Sequence, residues 1–410
     1  MHCTDQNTGS YRLPSPIQPL SVQAFTATNA FGAGISATFQ GLSSGVSALN
    51  NRGFPGLDID TYIGRIDGIE RHKLPAHLQD FEARNNKIMD LALDQDNFRT
   101  QVMEAKRKYG ADRIGVILGT STSGILETEN AYRRRDPSSG CLPQDFRYQE
   151  RQNTSAPAAF VQALLGITGP AWVISTACSS SSKVFATAQR LLAAGWCDAV
   201  IVGGADSLCL TTLYGFHALE LIDHAPCKPM DRERNGISIG EAAGFMLLTR
   251  FESQRSGLAL SGYGDSSDAY HMSSPHPEGL GAARAMTECL ARADARASTI
   301  DFALLHGTGT PANDKAEDKA LTTLFGNQLP CASIKGAIGH TLGASGIMNA
   351  VVACLSLTQN LLPGTANLKE IDPSFSSNVL FGPKIFSARR IITHAFGFGG
   401  SNAVLLFDQL

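Results

Sequence analysis

The chain has 410 residues, 43% of them hydrophobic and 17% charged, so it can form a large folded core, and disorder or a fibrous architecture is excluded. Lysine and arginine total 34 against 37 acidic residues, and this formal charge of −3 supplies no bulk attraction for a nucleic acid or an anionic membrane. The nine scattered cysteines form no C-x-x-C pair, which favours a reduced, cytoplasmic chain without a zinc site.

The chain opens with an irregular segment before regular structure begins. Residues 1–19 are polar and contain several prolines, so we expect a poorly ordered leader. A strand signal starts at Leu20, and residues 86–109 carry apolar side chains at helical spacing, ending in a basic run before a glycine. The polar segment 125–160 is interpreted as an inserted cap or interface region. No apolar run reaches the ~20 residues of a membrane span.

The rest of the chain repeats one pattern: an apolar strand, a loop of small residues and a helix. The units are 114–124, 171–194 and 199–206 in the first half, and 302–310 and 331–357 in the second. Uninterrupted apolar strands that alternate with helices indicate parallel sheets covered on both faces. The repetition predicts a duplicated α/β fold with halves 20–257 and 258–410, whose loops meet in one cleft.

Cys178 is the main candidate for a nucleophile. It follows the apolar run 171–176 and opens a helix, with small residues before it and four serines after it. Free N–H groups at a helix start favour a thiolate over a thiol, and small neighbours leave room for a bulky electrophile. A packed, inert cysteine is the alternative. We expect Cys178 alone among the nine cysteines to alkylate rapidly near neutral pH.

His306 and His340 occupy corresponding loops in the second half. Either histidine alone is more often structural, but with Cys178 the pair can activate a thiol, donate to an oxyanion or bind a metal. No acidic residue accompanies either histidine at ligand spacing, so the pattern favours acyl transfer over metal chemistry. Lys335 and Glu317 are candidates for a buried ion pair behind the histidines.

A glycine-rich loop, Phe396-Gly-Phe-Gly-Gly-Ser-Asn402, precedes the last apolar strand at 403–407. Its glycines can present backbone N–H groups into a cleft. The loop matches neither a dinucleotide fingerprint nor a P-loop, so we expect no nucleotide cofactor.

Five motifs follow one another in the order Thr176-Ala-Cys-Ser-Ser, Cys227-Lys-Pro-Met-Asp231 with Gly236–Gly244, His306-Gly-Thr-Gly-Thr-Pro, Lys335-x4-His340 and Phe396-Gly-Phe-Gly-Gly. In order and spacing they resemble the elongating beta-ketoacyl-acyl-carrier-protein synthases, from about residue 20 to the C-terminus. The resemblance implies a thiolase-like fold with a duplicated, five-layered α-β-α-β-α architecture. It also implies a homodimer, or a heterodimer with a related subunit.

The same resemblance implies a decarboxylative Claisen condensation in fatty acid or type II polyketide synthesis. Cys178 would carry the acyl chain, His306 and His340 would bind malonyl thioester, and Lys335 and Glu317 would support the histidines. The remaining expected site residues are an oxyanion donor and gate, Phe398, and a pocket lining of Phe216, Thr308, Thr310 and Phe396. No metal or soluble cofactor is implied, because the acyl carrier protein brings the phosphopantetheine arm.

Three residues depart from the family pattern: His394 stands where asparagine is usual, Met230 where an aromatic residue is usual, and Ser401 where threonine is common. We expect the first two to adjoin the pocket or its lining, and to affect substrate choice more than reaction type. Runs 206–216 and 234–241 are similar to synthases of bacterial aryl-polyene pigment clusters.

The same residues bear on two alternative functions. A CoA-dependent thiolase is disfavoured because the C-terminal loop offers no second reactive cysteine. A non-catalytic chain-length subunit of a heterodimer is disfavoured because Cys178 and both histidines are present, and such a subunit does not use them.

Overall fold

A computed structural model of the chain describes residues 12–251 and 257–410. Cys3 and most of the expected leader lie outside the described residues. Residues 12–19 have no regular secondary structure, and the N–H of Ile17 donates to the carbonyl of Arg292 at 2.8 Å.

The strands and helices of the described residues have the following bounds. The strands are β1 (Leu20–Asn29), β2 (Gly32–Ala33), β3 (Ile114–Gly119), β4 (Ala171–Ile174), β5 (Ala199–Asp206), β6 (Ala242–Arg250), β7 (Leu258–Ser267), β8 (Phe302–Leu304), β9 (Pro330–Ala332), β10 (Leu361–Leu362), β11 (Asn378–Val379), β12 (Lys384–Ile385), β13 (Arg390–Gly397) and β14 (Ser401–Gln409). The α-helices are α1 (Gly34–Ser44), α2 (Arg84–Leu93), α3 (Phe98–Tyr109), α4 (Ile125–Arg133), α5 (Ala156–Leu165), α6 (Ser180–Ala193), α7 (Leu210–Ala218), α8 (Leu280–Arg292), α9 (Pro311–Phe325), α10 (Lys335–Ile338) and α11 (Ser345–Gln359).

Strand order shows that the two halves repeat one topology. The first half has the order β4-β3-β5-β6-β1, and the second has β9-β8-β13-β14-β7. In each half the first three strands are parallel and the last two are antiparallel to their neighbours. The halves meet at β1 and β7, which pair through only two positions, Leu20 with Leu260 and Ser21 with Ala259. The predicted internal duplication is therefore present.

The helices and strands form five layers with apolar cores between them. Between the two sheets, α6 and α11 pack together with strands from both halves. On the outer face of the first sheet lie α2, α3 and α5, and on the outer face of the second lie α8 and α9. This is the predicted α-β-α-β-α order.

Small residues let the two central helices approach closely at their N-terminal ends. A Cβ on Gly346 would lie 2.5 Å from the backbone nitrogen of Ser182, so only glycine fits there. The N–H of Ile347 donates to the hydroxyl of Ser181 at 2.9 Å. The serine run after Cys178 thus serves this helix contact, and it brings the loops that precede both helices to one place.

The single helix expected over 86–109 is two helices. The chain turns between α2 and α3, where Asp96 and Asn97 have a backbone φ of 56°. Aspartate and asparagine are among the few non-glycine residues that adopt this left-handed conformation readily. Apolar spacing continues across the break, because both helices face the same core.

One helical stretch, Leu342–Gln359, is long and apolar enough to cross a membrane by length and composition alone. In this fold 89% of that stretch is buried inside the protein, in the layer between the two sheets.

Candidate active site

Cys178 lies in the turn between β4 and α6, at the inner end of the cleft. Ala177 before it has a φ of 51°, an uncommon conformation for alanine, and this turns the chain sharply from strand to helix. A Cβ on Gly397 would lie 2.7 Å from the carbonyl oxygen of Thr176, so glycine is needed for the end of β13 to pass this close. The Cys178 side chain is only 5% exposed.

The expectation of a thiolate at Cys178 is wrong for the unliganded protein. Burial raises the pKa of the Cys178 thiol to about 11, although the charge of Lys335 and the N–H of Phe398 both lower it. Desolvation of a thiolate outweighs the favourable helix start. The resting residue is therefore a thiol, with donors in place to stabilise it when it loses its proton.

His306 follows β8 and is held from two sides. Its backbone N–H donates to the Glu317 carboxylate at 2.7 Å, and the N–H of Gly307 donates to the other oxygen at 2.7 Å. The Lys335 ammonium lies 3.3 Å from Nδ1 of His306 and also donates to the carbonyl of His306. Because an ammonium only donates, Nδ1 accepts, and the ring proton is on Nε2.

His340 precedes α11 and has the same tautomer for a different reason. Its Nδ1 accepts the backbone N–H of Leu342 at 3.0 Å and lies 3.0 Å from the hydroxyl of Ser345. Burial lowers the pKa of both His306 and His340 well below the usual value, and the charge of Lys335 lowers both further. Both rings are therefore neutral and carry their proton on Nε2.

The sulfur of Cys178 and one ring nitrogen each of His306 and His340 all lie within 4.8 Å of one another. The two imidazoles meet edge to face, with ring centroids 5.4 Å apart. A histidine bound to a metal through Nε2 must have that nitrogen free of a proton, usually with Nδ1–H donating to an oxygen. The hydrogen bonds at both Nδ1 atoms impose the opposite tautomer, so the arrangement suits donation to an anionic oxygen.

Lys335 and Glu317 do not form the expected ion pair with each other. They contact opposite sides of His306, Lys335 at its carbonyl and Nδ1 and Glu317 at its N–H. Burial lowers the pKa of Lys335 to about 8, with Glu317 acting against that shift. The spacing along the chain placed both residues behind the histidines but could not give their side-chain directions.

A cavity of about 330 Å³ opens over the three central residues. All four residues expected to line the pocket do so, namely Phe216, Thr308, Thr310 and Phe396, and the expected gate, Phe398, lines it as well. One wall is apolar, with Leu219, Leu221 and Ile237 beside Phe216. His394 and Met230 are buried and do not line the cavity themselves. The His394 ring stacks on Phe396, which does line it, so His394 adjoins the lining as expected.

Two buried carboxylates that sequence reasoning missed hold the loops of the site. Asp206, at the end of β5, accepts N–H groups from the loop after β3 and, at 2.5 Å, the N–H of Gly343 beside His340. Asp314 accepts the N–H groups of Thr308 and Gly309 at 3.0 and 3.2 Å. The sequence contains a signal for each of them. Asp206 is a charged residue at the end of an otherwise apolar strand, and Asp314 lies three residues before Glu317 on the same helix.

Among the eight cysteines that the structure describes, we expect Cys141 as well as Cys178 to alkylate. Cys141 is exposed and will react first, whereas Cys197 and Cys227 are buried away from the cavity that Cys178 lines. In a Cys141→Ser variant, iodoacetamide labelling of Cys178 should rise about tenfold per pH unit between pH 7 and 9, because the thiolate fraction grows below a pKa of about 11. Peptide mapping measures this. Labelling of Cys197 or Cys227 at the same rate would contradict it.

Comparison with known proteins gives concordant matches. The beta-ketoacyl synthase N-terminal domain model matches residues 88–254, and the C-terminal domain model matches residues 258–369. Nodulation protein E of Rhizobium meliloti (strain 1021) is 32% identical over 324 residues, which cover 75% of this chain and 80% of that protein. 3-Oxoacyl-acyl-carrier-protein synthase 2 of the same strain is 33% identical over 315 residues, 72% of this chain and 74% of that protein.

Among solved structures, the ketosynthase ApeO in complex with its chain length factor ApeC, from Xenorhabdus doucetiae, gives a match with a TM-score of 0.86. The sequence identity is 36%, and the match covers 96% of this chain and 98% of the other.

Proposed function

The chain belongs to the beta-ketoacyl synthase family, and we propose that Cys178 carries the acyl chain with which its malonyl substrate is condensed. The thiolase-like fold and the reaction type, an acyl transfer that forms a carbon–carbon bond, follow from that family. The observation that supports the residue assignment is that the sulfur of Cys178 and one ring nitrogen each of His306 and His340 lie within 4.8 Å of one another, and that all three residues line one cavity.

The first half-reaction loads Cys178. Its sulfur attacks the carbonyl carbon of an acyl thioester, and the thiol proton leaves with the departing pantetheine sulfur. The N–H groups of Cys178 and Phe398, which already contact the sulfur, are placed to stabilise the oxyanion of the tetrahedral intermediate. Thr308 and Thr310 line the cavity and offer hydroxyls to the polar pantetheine arm.

The second half-reaction forms the new bond. The thioester oxygen of malonyl-carrier protein accepts the Nε2–H groups of His306 and His340. Its carbon–carboxylate bond breaks, carbon dioxide leaves, and the electron pair forms an enolate that the two neutral donors stabilise. The enolate carbon attacks the carbonyl carbon of the acyl group on Cys178, and the Cys178 sulfur leaves as a thiolate. That thiolate takes a proton from water and returns to the resting thiol. Neutral histidines suit this step, since they donate without giving up a proton.

Mass spectrometry tests the loading step directly. After incubation with an acyl carrier protein, the chain should gain the acyl mass on Cys178, and malonyl-carrier protein should then discharge it as a product two carbons longer. A non-catalytic chain-length subunit would gain no mass. A degradative thiolase needs a second reactive cysteine, and Cys178 is the single cysteine of the cavity lining among the described residues.

We further propose that an acyl carrier protein is the partner in both steps and that no metal or soluble redox cofactor takes part. The reaction would take place in the cytoplasm.

The match to ApeO with its chain length factor favours a heterodimer with a related subunit and an aryl-polyene product. The aromatic side chains of Phe216, Phe396 and Phe398 around the cavity suit a flat, unsaturated acyl chain. Carrier proteins loaded with saturated or aryl-polyene acyl chains of equal length would distinguish these products by loading rate.

Phe398 should gate the cavity between the two half-reactions. Its ring is 36% exposed and packs edge to face on Phe216 at 5.5 Å, and Gly399 and Gly400 after it have φ values of 82° and 74°. The Phe398→Ala variant keeps the backbone N–H but loses the ring, so the ratio of loading rate to condensation rate should change severalfold while the fold is retained. Rapid-quench measurement of each half-reaction checks this, with thermal unfolding as the control. If the rates of both half-reactions were unchanged in Phe398→Ala, Phe398 would not be a gate.

A further inference from the structure

His394 is a buried histidine outside the cavity that nonetheless contacts the group holding His306. Its side chain is fully buried on β13, and its Nδ1 lies 2.9 Å from Oε1 of Glu317. The same oxygen accepts the backbone N–H of His306 at 2.7 Å. Because a carboxylate only accepts, Nδ1 of His394 carries the proton and donates it.

A second contact leads from His394 to His306 through an aromatic ring. The His394 imidazole stacks on Phe396, with centroids 5.5 Å apart and planes inclined by 23°. Phe396 in turn packs against the His306 ring, with centroids 5.7 Å apart. His394 therefore contacts two groups that themselves contact His306: the Glu317 carboxylate, which accepts the backbone N–H of His306, and the Phe396 ring, which packs against its imidazole.

The other nitrogen of His394 has no partner. Nε2 is buried and makes no hydrogen bond among the described residues. An N–H on that atom would be a buried, unsatisfied donor, which is costly, so the neutral Nδ1–H tautomer fits the surroundings. An asparagine here can supply the same donor to Glu317 but has no ring to stack on Phe396.

We propose that His394 is a positioning residue for His306 on the malonyl half-reaction but not on the loading of Cys178, acting chiefly through its hydrogen bond to Glu317, with the stacking on Phe396 as the lesser contribution. This rests on the proposed function. Loading uses the N–H groups of Cys178 and Phe398, which His394 does not contact, whereas decarboxylation needs the Nε2–H of His306 at a fixed position.

Two variants separate the donor from the ring. His394→Phe keeps a stacked ring and removes the N–H; His394→Asn keeps an N–H and removes the ring. We expect His394→Phe to lower carbon dioxide release from malonyl-carrier protein by about tenfold to a hundredfold, the loss for one hydrogen bond to a charged group. Loading of Cys178 should stay within about twofold, and His394→Asn should recover most of the decarboxylation.

An equal loss in both half-reactions, or no loss in His394→Phe, would overturn the proposal. Histidine-selective nitrogen NMR of the unmodified chain gives a readout that does not require His394→Phe to fold, with His394→Asn used to assign the signal. The expected spectrum has His394 protonated at Nδ1 and not at Nε2, and an Nε2–H tautomer would equally overturn the proposal. If the wild-type chain releases no carbon dioxide and loads no acyl group, the proposed function fails instead, whatever the tautomer.

Discussion

Cys178→Gln will abolish chain elongation yet retain or increase the release of carbon dioxide from malonyl-carrier protein. Elongation needs a sulfur to hold the acyl chain, and glutamine has none. Its neutral amide has roughly the shape of the acyl thioester, so the cavity will resemble the loaded state to which malonyl binds. The supports of His306 and His340 come from Lys335, the Leu342 N–H and other groups, and none comes from Cys178.

The measurement combines a carbon dioxide assay with product analysis. Cys141→Ser is the matched control, since that cysteine is exposed and away from the cavity, and it should elongate like the wild type. If decarboxylation disappeared in Cys178→Gln and survived removal of the histidines, the roles assigned to these residues would be reversed.

His306→Ala and His340→Ala should each depress decarboxylation by about 10²–10³-fold, the usual loss for one oxyanion donor. Both rings are neutral and aligned before substrate arrives, so little of their contribution depends on rearrangement. Loading of Cys178 should fall much less, because its oxyanion is held by backbone N–H groups.

The exposed histidine His77 provides a matched control, and His77→Ala should change neither half-reaction. Single-turnover carbon dioxide release and acyl mass gain, measured on the same samples, give the two rates. If a histidine variant lost loading and decarboxylation to the same extent, the cause would be a general folding defect, and the role of that histidine as an oxyanion donor would not be supported.

Sequence patterns predicted the strands well where one physical cause dominates. Residues 199–205 are apolar or small, as suits a strand buried on both faces, and β5 covers them and ends at Asp206. Sequence patterns did not predict side-chain contacts where a side chain could point in more than one direction. The spacing of Lys335 and Glu317 implied an ion pair, but the loop at His306 lies between them and takes both sets of hydrogen bonds.

The pKa of Cys178 could not be predicted because it depends on packing in three dimensions. A helix start is visible in sequence, whereas the burial of Cys178 and its hydrogen bond from the N–H of Phe398, more than two hundred residues away, are set by the fold. The same holds for Asp206, whose contact with Gly343 joins loops from opposite halves of the chain.

The close contact between the first turns of α6 and α11 has an electrostatic consequence. Each helix carries the equivalent of about half a positive charge at its N-terminus, so the two dipoles together place about one positive charge beside Cys178 and His340. That charge belongs to the peptide backbone, and substitution of side chains leaves it in place. Variants that lack one imidazole will therefore retain a rate of decarboxylation above that of the uncatalysed reaction, and the losses from single substitutions will not sum to the full acceleration of that step.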